Sequence, residues 1–346
     1  MLSSDSYSFY VNSRSLKDIC VSTPSTEPPE PAPKASGPQR RSWLRRALPQ
    51  AGAAVAALVA GLWLLACGGG HLARREATRL PHDSQSGVII GAEAITLAPP
   101  AGVAPRATAI LMLHGFVGSR SEFGELPERL AALGYTVRMV RLPGHGTQPM
   151  DLVDITTTTL MTHVESEYAA LRTSHDQVAV VGFSMGASLA TLLAAQQPVE
   201  RLALCAPYFG VTYRWYAILS PERWQALLGP VVPWVPKPRM MVQLNRRDEI
   251  DQIQTYRVAP REGFVALMAL GRAASQPATL AAVQCPVLCV ASPTDGAASP
   301  ARMRAAFDGL GTQAKQFVWL SEASNHQLFW DYDREAALQA VIDFFN

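Results

Sequence analysis

A serine, an aspartate and a histidine follow one another along this chain in settings that suit acyl transfer. Ser184 stands in Gly182-Phe183-Ser184-Met185-Gly186, between an apolar run, Gln177 to Val181, and a small-residue helical stretch, Met185 to Ala195. A serine at such a strand-to-helix junction aims its hydroxyl out of a sharp, strained turn, and the flanking glycines spare the turn two Cβ collisions. Serine is a weak nucleophile at neutral pH, so it needs a base to take its proton and an acid to orient that base. His326 follows the apolar run Gln316 to Leu320 in Ser321-Glu322-Ala323-Ser324-Asn325-His326, and Asp295 follows Pro286 to Ala291 in Ser292-Pro293-Thr294-Asp295-Gly296. Taken singly, Ser184 is an ordinary helix cap and Asp295 an ordinary turn former. Together, in the order Ser, Asp, His, they predict nucleophile, acid and base.

Acyl transfer also needs donors for the developing oxyanion. The Met185 amide, next after the nucleophile at a helix N-terminus, is one expected donor. The Phe116 amide, in the loop His114-Gly115-Phe116-Val117-Gly118-Ser119, is the other, with Gly115 letting that loop turn back over Ser184. His114 reads as a hydrogen-bonding loop residue. Asp331 and Asp333 read as N-cap groups of the last helix, and Glu322 lies too near along the same loop to reach the far side of the imidazole. His71, His82, His163 and His175 fall away from the strand ends and read as surface residues.

These groups must be positioned by a sheet. Apolar runs at Gly87 to Leu97, Ala107 to Leu113, Thr136 to Val140, Gln177 to Val181, Leu202 to Cys205, Pro286 to Ala291 and Gln316 to Leu320 read as strands. Helical patterns fall at Ser121 to Leu133, Thr159 to Thr173, Met185 to Ala195, Pro300 to Leu310 and Arg334 to Phe345. Such alternation predicts an α/β fold with a mostly parallel central sheet and helices on both faces, its ligand site at the carboxyl ends of the strands. The stretch 208–275 interrupts the alternation and is expected to form a cap between core parts 86–207 and 276–346. Its Tyr208, Phe209, Tyr213, Trp215, Tyr216, Trp224 and Trp234 suit either a small core of the insertion or an apolar pocket lining.

The 346 residues are 48% hydrophobic and 17% charged, enough to bury a large core, and the net charge of +2 speaks against a nucleic-acid partner. Residues 1–46, rich in Ser, Pro and Thr, read as a disordered tail. Residues 47–67 carry no charge and are expected to be a transmembrane or signal-anchor segment, followed by a Gly-rich linker, 68–85. Arg40-Arg41-Ser42-Trp43-Leu44-Arg45 also resembles a twin-arginine export signal, and Leu64-Leu65-Ala66-Cys67 a lipoprotein lipobox. Membrane association, with the catalytic part on the non-cytoplasmic side, is the expectation. Cys205, Cys285 and Cys289 read as buried fillers, unlike Cys20 and Cys67, and no residue cluster has metal-ligand spacing.

The set His114-Gly115-Phe116-Val117-Gly118, Leu142-Pro143-Gly144-His145-Gly146, Gly182-Phe183-Ser184-Met185-Gly186, Asp295 and His326 resembles the α/β hydrolases of the carboxylesterase and monoacylglycerol lipase group. The resemblance runs from about Val88 to Asn346. It implies an α/β-hydrolase fold with a cap inserted after the strand that follows the nucleophile helix, and a pocket-wall role for His145. It further implies short to medium carboxylic esters or monoacylglycerols as substrates, with no cofactor. An acyltransferase or a carbon-carbon bond hydrolase would use the same triad, and an inactive membrane-tethered binding module is the reading from another class.

Overall fold

The computed structural model describes residues 67–212, 219, 221–229 and 232–346, with isolated positions between 53 and 64. The tail 1–46, Cys20, most of the apolar stretch 47–67, and Tyr213, Trp215 and Tyr216 lie outside the described residues. Among the described residues no helix is long and apolar enough to cross a membrane.

Seven strands form one sheet: β1 (Ile95–Leu97), β2 (Thr108–Leu113), β3 (Thr136–Met139), β4 (Gln177–Phe183), β5 (Leu202–Cys205), β8 (Val287–Ala291) and β9 (Lys315–Trp319). Their order is β1-β3-β2-β4-β5-β8-β9, with β1 antiparallel and every other pairing parallel. β2 and β5 are buried along their whole length. Both faces of the sheet are covered, which is why these strands read as unbroken apolar runs rather than alternating ones. Ile110, Met112, Ala179 and Val181 feed the core on one face; Ala109, Leu111, Val178 and Val180 feed the core on the other.

The helices are α2 (Leu126–Ala132), α3 (Thr157–Arg172), α4 (Met185–Gln196), α5 (Pro221–Leu228), α6 (Arg261–Ala274), α7 (Pro277–Ala282), α8 (Pro300–Asp308) and α9 (Arg334–Phe345), preceded by a helical stretch at 67–76 (α1). α4 runs directly from β4 and is almost wholly buried under α3, α6 and α7, so its small side chains let neighbouring helices approach. Among the described residues between β5 and α6 lie α5, two short 3-10 turns and an antiparallel ribbon, β6 (Trp234–Pro236) with β7 (Val258–Pro260). Val242, Leu244, Ile250 and Ile253 make a separate small core there, whereas Tyr208 and Phe209 join the main core.

Three local expectations are corrected. The run Gly87 to Leu97 is a strand only over its last three residues. Gly87 and Gly91 take φ of +67° and +92°, turning the chain out of the extended form. Residues 68–85 are not simply a linker, since the chain is helical to residue 76. A Cβ at Gly69 would stand 2.6 Å from the Trp234 Cβ, so here glycine serves close packing rather than flexibility. Finally, His82 is half-buried and its Nε2 lies 2.9 Å from the Thr147 carbonyl, while His163 is also half-buried. Neither is a plain surface residue.

Candidate active site

Every site residue foreseen above lies just beyond the carboxyl end of a parallel strand, Met185 at the first position of α4 and the others in loops or turns. β4 ends in Ser184, whose φ of 54° and ψ of −115° fall outside the regions open to ordinary L-residues. That strain is held by the surroundings, since the Ser184 amide donates to the Cys205 carbonyl at 2.9 Å and its carbonyl accepts from the Tyr208 amide at 3.1 Å. The two glycines are needed for space: a Cβ at Gly182 would stand 2.5 Å from the Ala187 Cα, and one at Gly186 would collide with the Leu113 carbonyl. Ser184 occupies the N-cap position of α4, yet its side chain makes no capping hydrogen bond. Its Oγ instead meets His326.

The His326 Nε2 is 2.9 Å from the Ser184 Oγ, and its Nδ1 is 2.7 Å from the Asp295 Oδ2. With Nδ1–H donating to the carboxylate, Nε2 is left to accept the serine proton. The other Asp295 oxygen accepts from the Ala297 and Ala298 amides, both at 2.8 Å. The Asn325 Oδ1 accepts from the Gly296 and His326 amides, joining the acid loop to the base loop. Ser184, His326 and Asp295 are all buried, Ser184 retaining 8% exposure. Glu322 is exposed and takes no part.

Asp331 and Asp333 do something other than cap α9. Asp333 holds the N-cap position without a capping bond, and its Oδ2 accepts from the Ser321 amide and hydroxyl. Asp331, fully buried, accepts from the amides of Asn325, Tyr332, Asn245 and Arg246. Its carboxylate thus clamps the histidine loop to the inserted segment. Four amide donors offset the cost of burying the charge.

On the other side of Ser184 lies the loop 114–119. A Cβ on Gly115 would be 3.2 Å from the Ser184 Cβ, so the loop does turn back over the serine. Neither the Phe116 nor the Met185 amide has an acceptor among the described residues. His114 is a structural bonder, its Nδ1 donating to the Gly115 carbonyl at 2.9 Å and its Nε2 accepting from the Leu142 amide at 3.1 Å. Burial, reinforced by the neighbouring His145, pushes its pKa down to about 3. Burial likewise lowers His145 to about 4. The His145 ring stands edge-on to His114 and Phe116, at centroid distances of 5.1 and 6.1 Å, and so backs this loop. The Phe116 ring packs on Phe264 of α6, and a Cβ at Gly263 would come within 3.0 Å of it.

Two supports of this loop were missed by reasoning from the sequence. Glu122, buried in the 3-10 turn Arg120–Phe123, accepts from the Gly115 amide at 2.6 Å and from the Gln327 Nε2 at 3.2 Å. Burial raises its carboxyl above the usual range, opposed by those two bonds and by the charges of Lys237 and His326. The second support is the strap 254–257. The Val117 carbonyl, on a residue with φ of 59°, accepts from the Tyr256 amide at 3.0 Å, and the Gln254 amide donates to the Ser121 Oγ at 2.9 Å. The Tyr256 hydroxyl accepts from the Thr147 amide at 2.8 Å. The same strap is gripped from behind: buried Glu76 of α1 accepts from the Arg257 amide, and Arg79 donates to the Thr255 carbonyl.

Among the described residues no His, Cys, Asp and Glu group is arranged to hold a metal ion. Cys205 and Cys289 are buried and Cys285 is half-buried; burial lifts the Cys205 thiol to about 12 and that of Cys285 to about 11. They are fillers rather than reactive thiols.

The family model described as serine aminopeptidase, S33 (Hydrolase_4), matches residues 104–333. The chain is 27% identical over 239 residues to a thermostable monoacylglycerol lipase from Bacillus sp. (strain H-257), covering 68% of this chain and 89% of that protein. It is also similar to a solved structure from the metagenome-derived lipolytic enzymes LipS and LipT, with 25% identity, a TM-score of 0.62 and coverage of 74% and 98%. The monoacylglycerol lipase of Paleococcus ferrophilus shares the fold at 17% identity, with a TM-score of 0.60 and coverage of 72% and 96%.

Proposed function

The chain belongs to the serine aminopeptidase S33 family of α/β hydrolases, and from that premise we propose that it cleaves carboxylic esters through an acyl-enzyme on Ser184. The proposed substrates are short to medium acyl esters or monoacylglycerols. The observation that carries the proposal is the unbroken line from the Ser184 Oγ through His326 to Asp295, at 2.9 and 2.7 Å, beside two amides without acceptors among the described residues.

In the proposed cycle the His326 Nε2 takes the proton of Ser184 as its Oγ attacks the ester carbonyl. The Phe116 and Met185 amides donate to the oxyanion, a contribution of about 2.7–4 kcal/mol for a well-placed donor. Asp295 stabilises the imidazolium. Collapse expels the alcohol, which leaves with the proton held on His326. Water, deprotonated by the same Nε2, then attacks the acyl-enzyme and frees the acid, and His326 returns the proton to the departing Ser184 Oγ. The Phe116 ring, on the loop that turns back over Ser184, packs on Phe264, and that apolar pair is proposed to favour an apolar acyl chain over a charged one. Membrane attachment through residues 47–67 goes with this proposal, and retention of the full chain in the membrane fraction after alkaline carbonate washing tests it.

The catalytic proposal is tested by hydrolysis of p-nitrophenyl esters from acetate to palmitate, with an aminoacyl p-nitroanilide beside them because the family's description is that of a peptidase. Esters are expected to turn over, with an optimum at one chain length, and Ser184→Ala to lose at least about 10³-fold in rate. Full activity in Ser184→Ala would sink the assignment. Turnover of the anilide alone would move the substrate class to peptides.

A further inference from the structure

Glu122 touches none of the triad, yet its carboxylate is buried at 3% exposure against the loop that turns over Ser184. A carboxylate in that position costs several kcal/mol of lost hydration unless its oxygens are bonded, and among the described residues no basic side chain comes within ion-pair distance of it. What it has instead is the Gly115 amide on one oxygen and the Gln327 side chain on the other. The loop is wrapped around this group: a Cβ at Gly118 would collide with the carboxylate, and one at Gly115 would stand 2.9 Å from its Oε2. Gln327 follows His326 directly and turns its Nε2 to Glu122, although its own Oε1 then has no partner among the described residues. An apolar side chain would fill the same space without these costs.

We infer that Glu122 is a positioning residue for acylation. By holding the Gly115 amide it fixes the peptide unit immediately before the one that carries the Phe116 N–H, and through Gln327 it ties that loop to the segment carrying His326. The donor and the base are thereby kept at one spacing. The inference rests on the serine-hydrolase reading above.

The test compares the full chain with Glu122→Ala, Glu122→Gln and Gln327→Ala. Two quantities are read: kcat and KM on p-nitrophenyl butyrate, and inhibition by an alkyl trifluoromethyl ketone, whose serine adduct carries an oxyanion. Glu122→Ala is expected to lower kcat roughly 10- to 100-fold, short of removing a donor outright, with KM within about twofold. The ketone should weaken by a similar factor. Glu122→Gln keeps an acceptor for the Gly115 amide and is expected to recover to within about fivefold of the parent, while Gln327→Ala falls between them. Wild-type kcat in Glu122→Ala, a change confined to KM, or Glu122→Gln no better than Glu122→Ala would overturn the inference. If Glu122→Ala does not fold, Gln327→Ala decides: a lower kcat with unchanged KM supports the role, and a wild-type kcat rejects it. Failure of the parent chain to hydrolyse any ester removes the catalytic reading and this inference with it. An active parent with unaffected Glu122 variants removes this inference alone.

Discussion

On the acid–base side of Ser184, the geometry is fixed largely by backbone amides of the loops that carry the reacting groups. Asp295 is held by Ala297 and Ala298, and Asn325 by Gly296 and His326, while Asp331, the Asn325 side chain and the Gln327 amide tie the histidine loop to residues 243–246 of the inserted segment. On the other side the loop 114–119, which carries the proposed oxyanion donor Phe116, contains a left-handed valine, a costly conformation for a β-branched residue. It leans on Glu122, Gln327 and Tyr256, the last two far away in sequence. One half is made rigid locally and the other by residues brought in from elsewhere. Damage to the two halves should therefore differ in kind.

The largest expected effect lies on the local side. Asp295→Asn should lower kcat by about 10⁴-fold through loss of the correct imidazole tautomer while leaving the thermal midpoint nearly unchanged. A drop below tenfold would mean that Asp295 is not the acid. Asp331→Ala would leave four amides without their acceptor and should cost about 3 kcal/mol or more, read from the urea midpoint at constant m. A neutral result would show that water replaces the clamp.

The side of the loop 114–119 should be the acid-sensitive one. His114 and His145 bind protons more weakly in the folded chain, near 3 and 4, than at their ordinary 6.5. Their contribution is fully present above pH 6.5 and is lost as pH falls towards 4, because the unfolded chain takes up protons that the folded chain refuses. The loss should be on the order of a few kcal/mol in urea titrations, and smaller in His145→Asn. The smallest effect is expected for Tyr256→Phe, about 1 kcal/mol from the lost Thr147 bond, with a few-fold fall in kcat. An unchanged kcat would show that the loop does not depend on this hydroxyl.

The same contrast decides what could be read without coordinates. Ser184, Asp295 and His326 each follow an apolar run that forms a parallel strand, so local patterns were enough to bring them to one edge of the sheet. Glu122 carries no such signal. A glutamate two residues before a glycine and near the start of a helical pattern looks like a solvated face, and its burial depends on Gln327, 205 residues away. Asp331 and Asp333 looked like caps because they precede α9, and only the folded loops show which amides they face. Gly68-Gly69-Gly70 carried the low helix propensity of a linker. The Trp234 side chain that makes Gly69 useful belongs to another part of the chain.

The strap 254–257 also bears on how this enzyme is best prepared. The Arg257 amide meets Glu76 at the end of α1 and the Thr255 carbonyl meets Arg79 just after it, while the Tyr256 amide between them faces Val117. A shortened protein beginning at His82 would be easier to handle, but it would lack Glu76 and Arg79. The Arg257 amide would then lose its acceptor one peptide unit from the Tyr256 amide that holds the loop 114–119. A low rate measured on such a trimmed enzyme would report the missing helix as much as the chemistry.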